Sequence, residues 1–239
     1  PEMMADLPAH VPVSMALWCS AGALRDIRSL CASTTLGGLL VPSGDFGWAE
    51  RRLAYFLDCR FLGGDPAEAQ TLSQRSSAHQ IFEAAGVNTP VGDVEIHSLE
   101  DVALALAKLI ALNPDVAKWA LFFNDDLNGE SYAYFDVNML ASISALRGQL
   151  AAIVSANSGD PNIWYSEDKQ MEVRKRLVLE LIVAIPRRLV IQRADLYPNW
   201  SVYARFLDEQ GGVVHALPAQ PAGVVHGLCF IDPHGEVCV

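Results

Sequence analysis

The chain has little positive charge and few charged residues of either sign. Its 239 residues include 17 Lys and Arg against 28 Asp and Glu, and the formal net charge is -11 at pH 7. Nucleic acids and anionic membranes recruit proteins through cationic surfaces. We therefore expect neither nucleic acid nor membrane as a partner. The concentrated cations are Arg174, Lys175, Arg176, Arg187 and Arg188.

Sequence motifs that carry familiar chemistry are also missing. The five cysteines include no CxxC pair, which favours reduced, mostly buried thiols in a cytosolic protein. The six histidines have no zinc spacing such as HExxH. There is no GxSxG, GxGxxG or Walker A motif, so a serine hydrolase, a dinucleotide-binding loop and a P-loop have no support. Apolar runs such as Leu177 to Ile185 are too short to span a bilayer.

Apolar residues are plentiful, at 51% of the chain, and can supply a sizeable core or two packed lobes. Near the N-terminus, an apolar run at 36–41 predicts a buried strand, 47–57 a helix and 59–62 a second strand. Strand, helix and strand in that order indicate a parallel crossover. We therefore predict a small parallel α/β lobe over residues 1–66.

The rest of the chain, residues 67–239, predicts mixed α+β structure. Ser98 is a good N-cap for an amphipathic helix over 99–112. Asn128-Gly129 is a hairpin turn signal between a strand at 118–123 and a returning strand at 131–137. The remaining predicted elements are helices at 76–85, 138–156, 168–185 (ended by Pro186) and 199–210, and strands at 213–217, 224–231 and 236–239.

Several short motifs occur in a fixed order along this region. They are Gly63-Gly64-Asp65-Pro66, Arg75-Ser76-Ser77, Gly86-Val87-Asn88-Thr89-Pro90, Trp119-Ala120-Leu121-Phe122-Phe123-Asn124, Asn128-Gly129-Glu130-Ser131, Tyr197-Pro198-Asn199-Trp200, Gly211-Gly212-Val213-Val214 and Ile231-Asp232-Pro233-His234-Gly235-Glu236-Val237. That order resembles the ATP-grasp ligase-like family, in particular its IQ-motif-containing protein H branch. The resemblance implies a pre-ATP-grasp lobe over 1–66 and ATP-grasp-like α+β lobes over 67–239, truncated at the C-terminal end.

The same resemblance implies a degenerate nucleotide site at five positions. A family lysine at the start of the helix that precedes the Gly86-Val87-Asn88-Thr89-Pro90 turn becomes Arg75, and the lysine on the next strand becomes Phe122. The family's glycine-rich phosphate loop is reduced to Asn128, Gly129 and Glu130, so a carboxylate stands where phosphate would lie. A phenylalanine cannot pair with phosphate as a lysine does. We expect no catalytic or metal-binding residues and no cofactor, with weak MgATP binding at most.

Plainer interpretations of these residues stay open. Arg75 can be a surface arginine paired with Asp65 or Glu68. Neighbouring strand positions face opposite ways, so one of Phe122 and Phe123 should be core and the other can fill the former cleft. Asp125, Asp126 and Glu130 could hold a magnesium ion, although a solvated turn accounts for them better.

The leading functional hypothesis is a non-catalytic ATP-grasp-like scaffold within a longer protein. The sequence starts at Pro1 without a methionine and ends at Val239, beside an expected strand. We therefore expect it to be a piece of a longer chain. The resemblance implies protein partners, calmodulin through segments outside this sequence, and a cytoplasmic location at a cilium or flagellar axoneme. The alternatives are an ATP- and magnesium-dependent carboxylate–amine ligase and a nucleotide-sensing module.

Overall fold

The computed structural model describes residues 13–32, 38–41, 47–126, 129–156, 167–219, 229–232 and 235–238. Contacts divide the chain into one compact unit over Pro1–Ile81 and a second over Phe82–Val239. The boundary falls inside a helix. The domain boundary predicted from sequence, between residues 66 and 67, stays a prediction.

The first unit is a small α/β layer. Its helices are α1 (Val13–Trp18), α2 (Ala21–Ala32), α3 (Trp48–Phe56), α4 (Pro66–Ser73) and the start of α5 (Arg75–Ala84), and its strands are β1 (Leu39–Leu40) and β2 (Arg60–Phe61). The two strands pair in parallel, as the crossover predicts. A small core of Leu24, Leu53 and Leu57 holds α2 against α3.

The second unit is built on a five-stranded antiparallel sheet. Its strands are β3 (Gly92–Ile96), β4 (Lys118–Phe123), β5 (Ala133–Asp136), β6 (Val190–Ile191) and β7 (Gly212–Leu217), in the order β3-β7-β4-β5-β6. Its helices are α6 (Leu99–Leu112), α7 (Ala141–Ala156), α8 (Glu167–Arg188) and α9 (Trp200–Gln210), with a 3-10 turn at Val137–Met139. A separate hairpin pairs β8 (Phe230–Ile231) with β9 (Val237–Cys238).

Side chains along β4 point alternately to the two faces of this sheet. Trp119, Leu121 and Phe123 are at most 1% exposed and share a core cluster with apolar residues of α6 and α8. Phe122 points the other way and is only partly buried. The expectation that one of the two phenylalanines is core is therefore confirmed, and the core one is Phe123.

The predicted fold class, a parallel α/β lobe followed by α+β structure, is confirmed. The Ser98 cap is also confirmed, because its hydroxyl accepts from the Asp101 amide while the Asp101 carboxylate accepts from the Ser98 amide. Helix α4 and strands β3 and β6 were not predicted. The predicted strand at 224–231 lies mostly outside the described residues.

Two expectations were wrong. Pro186 does not end α8, which continues to Arg188. A proline in the last turn removes only one helical hydrogen bond, and the Arg188 side chain donates to the Met139 carbonyl and holds that turn in place. The described cysteines are not mostly buried, because Cys19, Cys31 and Cys59 are partly buried and Cys229 is exposed.

Candidate functional site

The face of the sheet that carries Phe122 is lined by aromatic side chains. On β4, Lys118, Ala120 and Phe122 alternate onto this face, and Ala120 pairs with Tyr134 of β5 and His215 of β7. We call Lys118, Phe122, Tyr132, Tyr134 and His215 the aromatic face.

The rings of this face contact one another directly. Phe122 stacks on Tyr132 with centroids 5.3 Å apart, and Tyr132 lies 6.2 Å from Tyr134. The Lys118 ammonium lies 5.1 Å from the Tyr134 ring centroid. Burial raises the pKa of Tyr132, and the neighbouring Tyr134 raises it further. Phe122, where the resemblance expects a lysine, is therefore part of a continuous stack of rings.

A cation does lie on the same strand and the same face, at Lys118. Phe122 is four residue steps further along the strand, a distance of about 13 Å along β4. Its ammonium is directed to the Tyr134 ring, a cation–π contact. Lys118 is therefore too far along the strand to take the place of a lysine at position 122.

Asp126 organises the loop between β4 and β5. One of its carboxylate oxygens accepts from the Glu130 amide at 2.8 Å, and the other accepts from the Ser131 amide at 3.1 Å and the Ser131 hydroxyl at 2.5 Å. These are the contacts of a carboxylate that shapes a turn. Among the described residues, no group of three or more His, Cys, Asp or Glu side chains is placed to hold a metal ion. The turn interpretation of this acidic cluster therefore fits better than the magnesium one.

Ser131 joins this loop to β4 and to α9. Its side chain is buried, and its hydroxyl oxygen accepts from the Phe123 amide at 2.8 Å. The Ser131 carbonyl accepts from the Tyr203 hydroxyl at 2.9 Å. Tyr203 is fully buried, and burial raises the pKa of its phenol far above the ordinary value. These hydrogen bonds fix the C-terminal end of the loop between β4 and β5 to the core.

Glu130 is held by an arginine from a distant part of the chain. The Arg193 Nη1 atom donates to the Glu130 carboxylate at 2.9 Å, while Nε and Nη2 donate to Asp195 at 2.8 and 2.7 Å. Hydrogen bonds from Arg193 hold the pKa of Asp195 below its ordinary value. All three side chains are partly exposed, so the pairs contribute little to stability. The Arg193 pair does compensate the charge of Glu130, at the position where the resemblance expects a phosphate-binding glycine loop.

The structure brings together three of the five predicted site residues. Phe122, Gly129 and Glu130 lie at the end of β4 and in the loop that follows it, and Gly129 has a φ of 69°. Asn128 lies outside the described residues. Arg75 begins α5 in the first unit, whereas the other positions belong to the second.

Sequence reasoning missed two residues that shape this loop, Arg193 and Tyr203. Arg193 is 63 residues from its partner Glu130, and Tyr203 is 72 residues from Ser131. Neither pair has a local spacing signal. The sole hint is that Arg193 closely precedes the Tyr197-Pro198-Asn199-Trp200 motif.

Comparison with known proteins decides the family. Residues 66–239 match the family model described as IQCH-like, ATP-grasp. The chain belongs to the IQCH-like ATP-grasp family. It is also 26% identical over 182 residues to the IQ motif-containing protein H of Danio rerio, an alignment that covers 76% of this chain and 17% of that relative. The predicted resemblance is therefore confirmed.

Two further findings bear on this member of the IQCH-like ATP-grasp family. No solved structure matches the chain. Across the part of the chain that the structure describes, no helix is both long and apolar enough to cross a bilayer. The chain spans about a sixth of the length of the relative that it matches, so the activity of a whole protein of this kind is a matter for proposal.

Proposed function

We propose that this chain is a non-catalytic ATP-grasp-like scaffold within a longer IQCH-like protein. The observation that carries the proposal is the stacking of Phe122 on Tyr132, at the strand position where the family resemblance expects a phosphate-binding lysine. A ring pair offers no charge to a triphosphate, whereas an ammonium at that point would contribute about 1.5–3 kcal/mol to phosphate binding.

The neighbouring loop supports the same proposal. Glu130 and Asp126 carry negative charge at the place where the resemblance puts phosphate. The nearby guanidinium of Arg193 is already shared between Glu130 and Asp195. A nucleotide would have to displace Glu130 or Asp195 from Arg193 before its phosphates could pair with that guanidinium. We therefore expect weak MgATP binding or none.

The role of such a scaffold is to bind other proteins. The net charge of -11 fits protein partners better than nucleic acid. The name of the relative from Danio rerio refers to an IQ motif, and by analogy we propose that calmodulin binds the longer protein through segments outside this chain. A cytoplasmic location at a cilium or flagellar axoneme belongs to the same proposal.

Calorimetric titration of the purified chain with MgATP tests the proposal. We expect no saturable heat at micromolar nucleotide. A dissociation constant in the low micromolar range would overturn the scaffold. In that event, phosphate release on addition of a carboxylate and an amine would identify a ligase, and tight binding without turnover would identify a nucleotide sensor.

A further inference from the structure

Two cysteine sulfurs in the first unit lie side by side. Cys31 is in the last turn of α2, and Cys59 comes immediately before β2. The Cys59 thiol donates to the Cys31 sulfur across 3.3 Å, although 28 residues separate them in sequence. Cys59 also packs against the small core of Leu24, Leu53 and Leu57, which positions its side chain.

The backbone at Gly38 packs closely against both sulfurs. A Cβ atom at Gly38 would lie 2.6 Å from the Cys59 sulfur and 2.8 Å from the Cys31 sulfur. The Arg60 amide donates to the Gly38 carbonyl at 2.9 Å, so the parallel strand pairing holds Gly38 in this place. A glycine at position 38 thus lets both sulfurs occupy the same space beside the strand.

Small molecules can reach the pair from solvent. Cys59 lines an open cleft of about 890 Å³ in the first unit, together with residues of α1, α2 and α3 that include Trp18, Arg28 and Tyr55. The aromatic and arginine side chains at this opening are exposed, and Tyr55 is 89% exposed. Since Cys59 is partly buried and lines this cleft, an oxidant of the size of hydrogen peroxide can approach the residue from solvent.

We propose that Cys31 and Cys59 are an oxidation site, where hydrogen peroxide converts the two thiols into a reversible disulfide. One sulfur attacks a peroxide oxygen, which breaks the O–O bond, releases one water and leaves a sulfenic acid. The second sulfur then attacks the first, and the hydroxyl leaves as a second water. Each sulfur is oxidised, peroxide is reduced, and both thiol protons end in water. The sulfurs need to approach by about 1.3 Å to reach disulfide bond length.

The environment sets the speed of this reaction. Burial raises the pKa of the Cys59 thiol to about 11, and the neighbouring Cys31 thiol and the Asp58 charge add to that effect. Since the thiolate is the nucleophile, oxidation through Cys59 is slow at neutral pH and faster in mild alkali. The resulting bond would tie α2 to β2 and close a loop of about 29 residues, which stabilises the first unit by restricting its unfolded state.

Peptide mapping of the complete chain tests the proposal directly. The protein is treated with a small excess of hydrogen peroxide at mildly alkaline pH, its remaining thiols are blocked, and it is digested with trypsin without reductant. Cleavage after Arg28, Arg52 and Arg60 puts Cys31 and Cys59 on separate peptides. We expect these two peptides to appear joined, and to separate on reduction. Overoxidised or unmodified Cys31 and Cys59, or links of either to other cysteines, would overturn the proposal.

Thermal unfolding adds a second readout with matched variants. Oxidation should raise the midpoint of the first unit by about 10 °C, and reduction should reverse the change. Cys31→Ser should abolish both the linked peptide and the rise, whereas Cys19→Ser, which also replaces a partly buried cysteine, should keep both. A rise of equal size in Cys31→Ser would count against the proposal. Mapping of the unsubstituted protein gives the decision even where Cys31→Ser fails to fold.

Discussion

The ring of Phe122 stacks on the ring of Tyr132, with centroids 5.3 Å apart and an angle of 27° between the planes. Both side chains lie on the sheet face opposite the core, beside a loop whose carboxylates make hydrogen bonds within the protein. An ATP-binding protein needs cations at such a place, whereas the surroundings of Phe122 offer a stacked ring and a carboxylate paired with Arg193. Substitutions at a few positions can distinguish two cases. In one, a nucleotide site lies here and has lost its cation, and in the other, a nucleotide site lies elsewhere in the chain.

Replacing Phe122 with lysine and Glu130 with glycine should restore part of the affinity for MgATP. The lysine supplies a cation, and loss of the carboxylate frees one nitrogen of Arg193 from its pair with Glu130. We expect the dissociation constant for MgATP to fall about tenfold or more, because a charge-assisted phosphate contact contributes about 1.5–3 kcal/mol. Calorimetry on the double variant and the unsubstituted chain measures the change.

The matched control for that variant carries Phe122→Leu in place of Phe122→Lys, again with Glu130→Gly. It removes the same ring and the same carboxylate but adds no cation, so its gain in affinity for MgATP should be smaller than that of the lysine variant. Adding Arg193→Ala to the lysine variant should reduce the recovered affinity. A folded lysine variant that binds MgATP no better than the leucine control would show that position 122 is not the lysine position.

Much of the fold could be predicted from local signals. Strand β4 has the predicted bounds because its continuous apolar run ends at Asn124. Helix α6 begins where Ser98 and Asp101 cap it. Strand β3 escaped prediction because it contains charged residues and a register irregularity, and Glu95 has a φ of 59°. Helix α4 was missed although Asp65 caps it and Pro66 opens it, both ordinary helix-start signals.

Only part of the candidate site could be predicted, because some of its residues come from distant parts of the chain. Phe122, Gly129 and Glu130 are near in sequence, so local motifs could bring them together at the end of β4 and in the loop after it. The partners that fix this loop, Arg193 and Tyr203, come from other parts of the chain through tertiary packing. A single sequence holds no spacing rule for such contacts, and so the compensation of the Glu130 charge could not be foreseen.

Replacing Ser131 with alanine should destabilise the second unit by about 1–3 kcal/mol. The substitution leaves the buried Phe123 amide without the hydroxyl that accepts its hydrogen bond. Chemical denaturation measures the loss. Ser201→Ala is the matched control, since Ser201 is exposed on α9 and its removal should change stability by less than about 0.5 kcal/mol. Equal effects of the two substitutions would contradict the role given to Ser131.

The capping box of α6 should make stability depend on acidic pH. Hydrogen bonds, first from the Ser98 hydroxyl and then from the backbone amides of His97 and Ser98, hold the pKa of Asp101 below its ordinary value of 3.8. This carboxylate therefore stabilises the fold above about pH 4, and the contribution is lost as the pH falls through its lowered pKa. Asp101→Asn should lower the free energy of unfolding by about 1 kcal/mol near pH 7. The stability of this variant should then fall less steeply in acid than that of the unsubstituted chain. The matched control is Glu100→Gln, which removes a first-turn carboxylate at an exposed neighbouring position and keeps the Ser98–Asp101 capping box.

Two glycines should respond to alanine with opposite signs. Gly211, at the end of α9, has a φ of 69°. A Cβ atom there would lie 2.6 Å from Cε1 of the His97 ring and 2.8 Å from the side-chain Nδ2 atom of Asn124. Gly211→Ala should therefore cost about 1–3 kcal/mol through strain. Gly148 is exposed within α7 and has open space around it, so Gly148→Ala should stabilise the helix by about 0.5–1 kcal/mol. Denaturant midpoints of the two variants measure both effects, and a loss at Gly148 or no loss at Gly211 would contradict the backbone described for that residue.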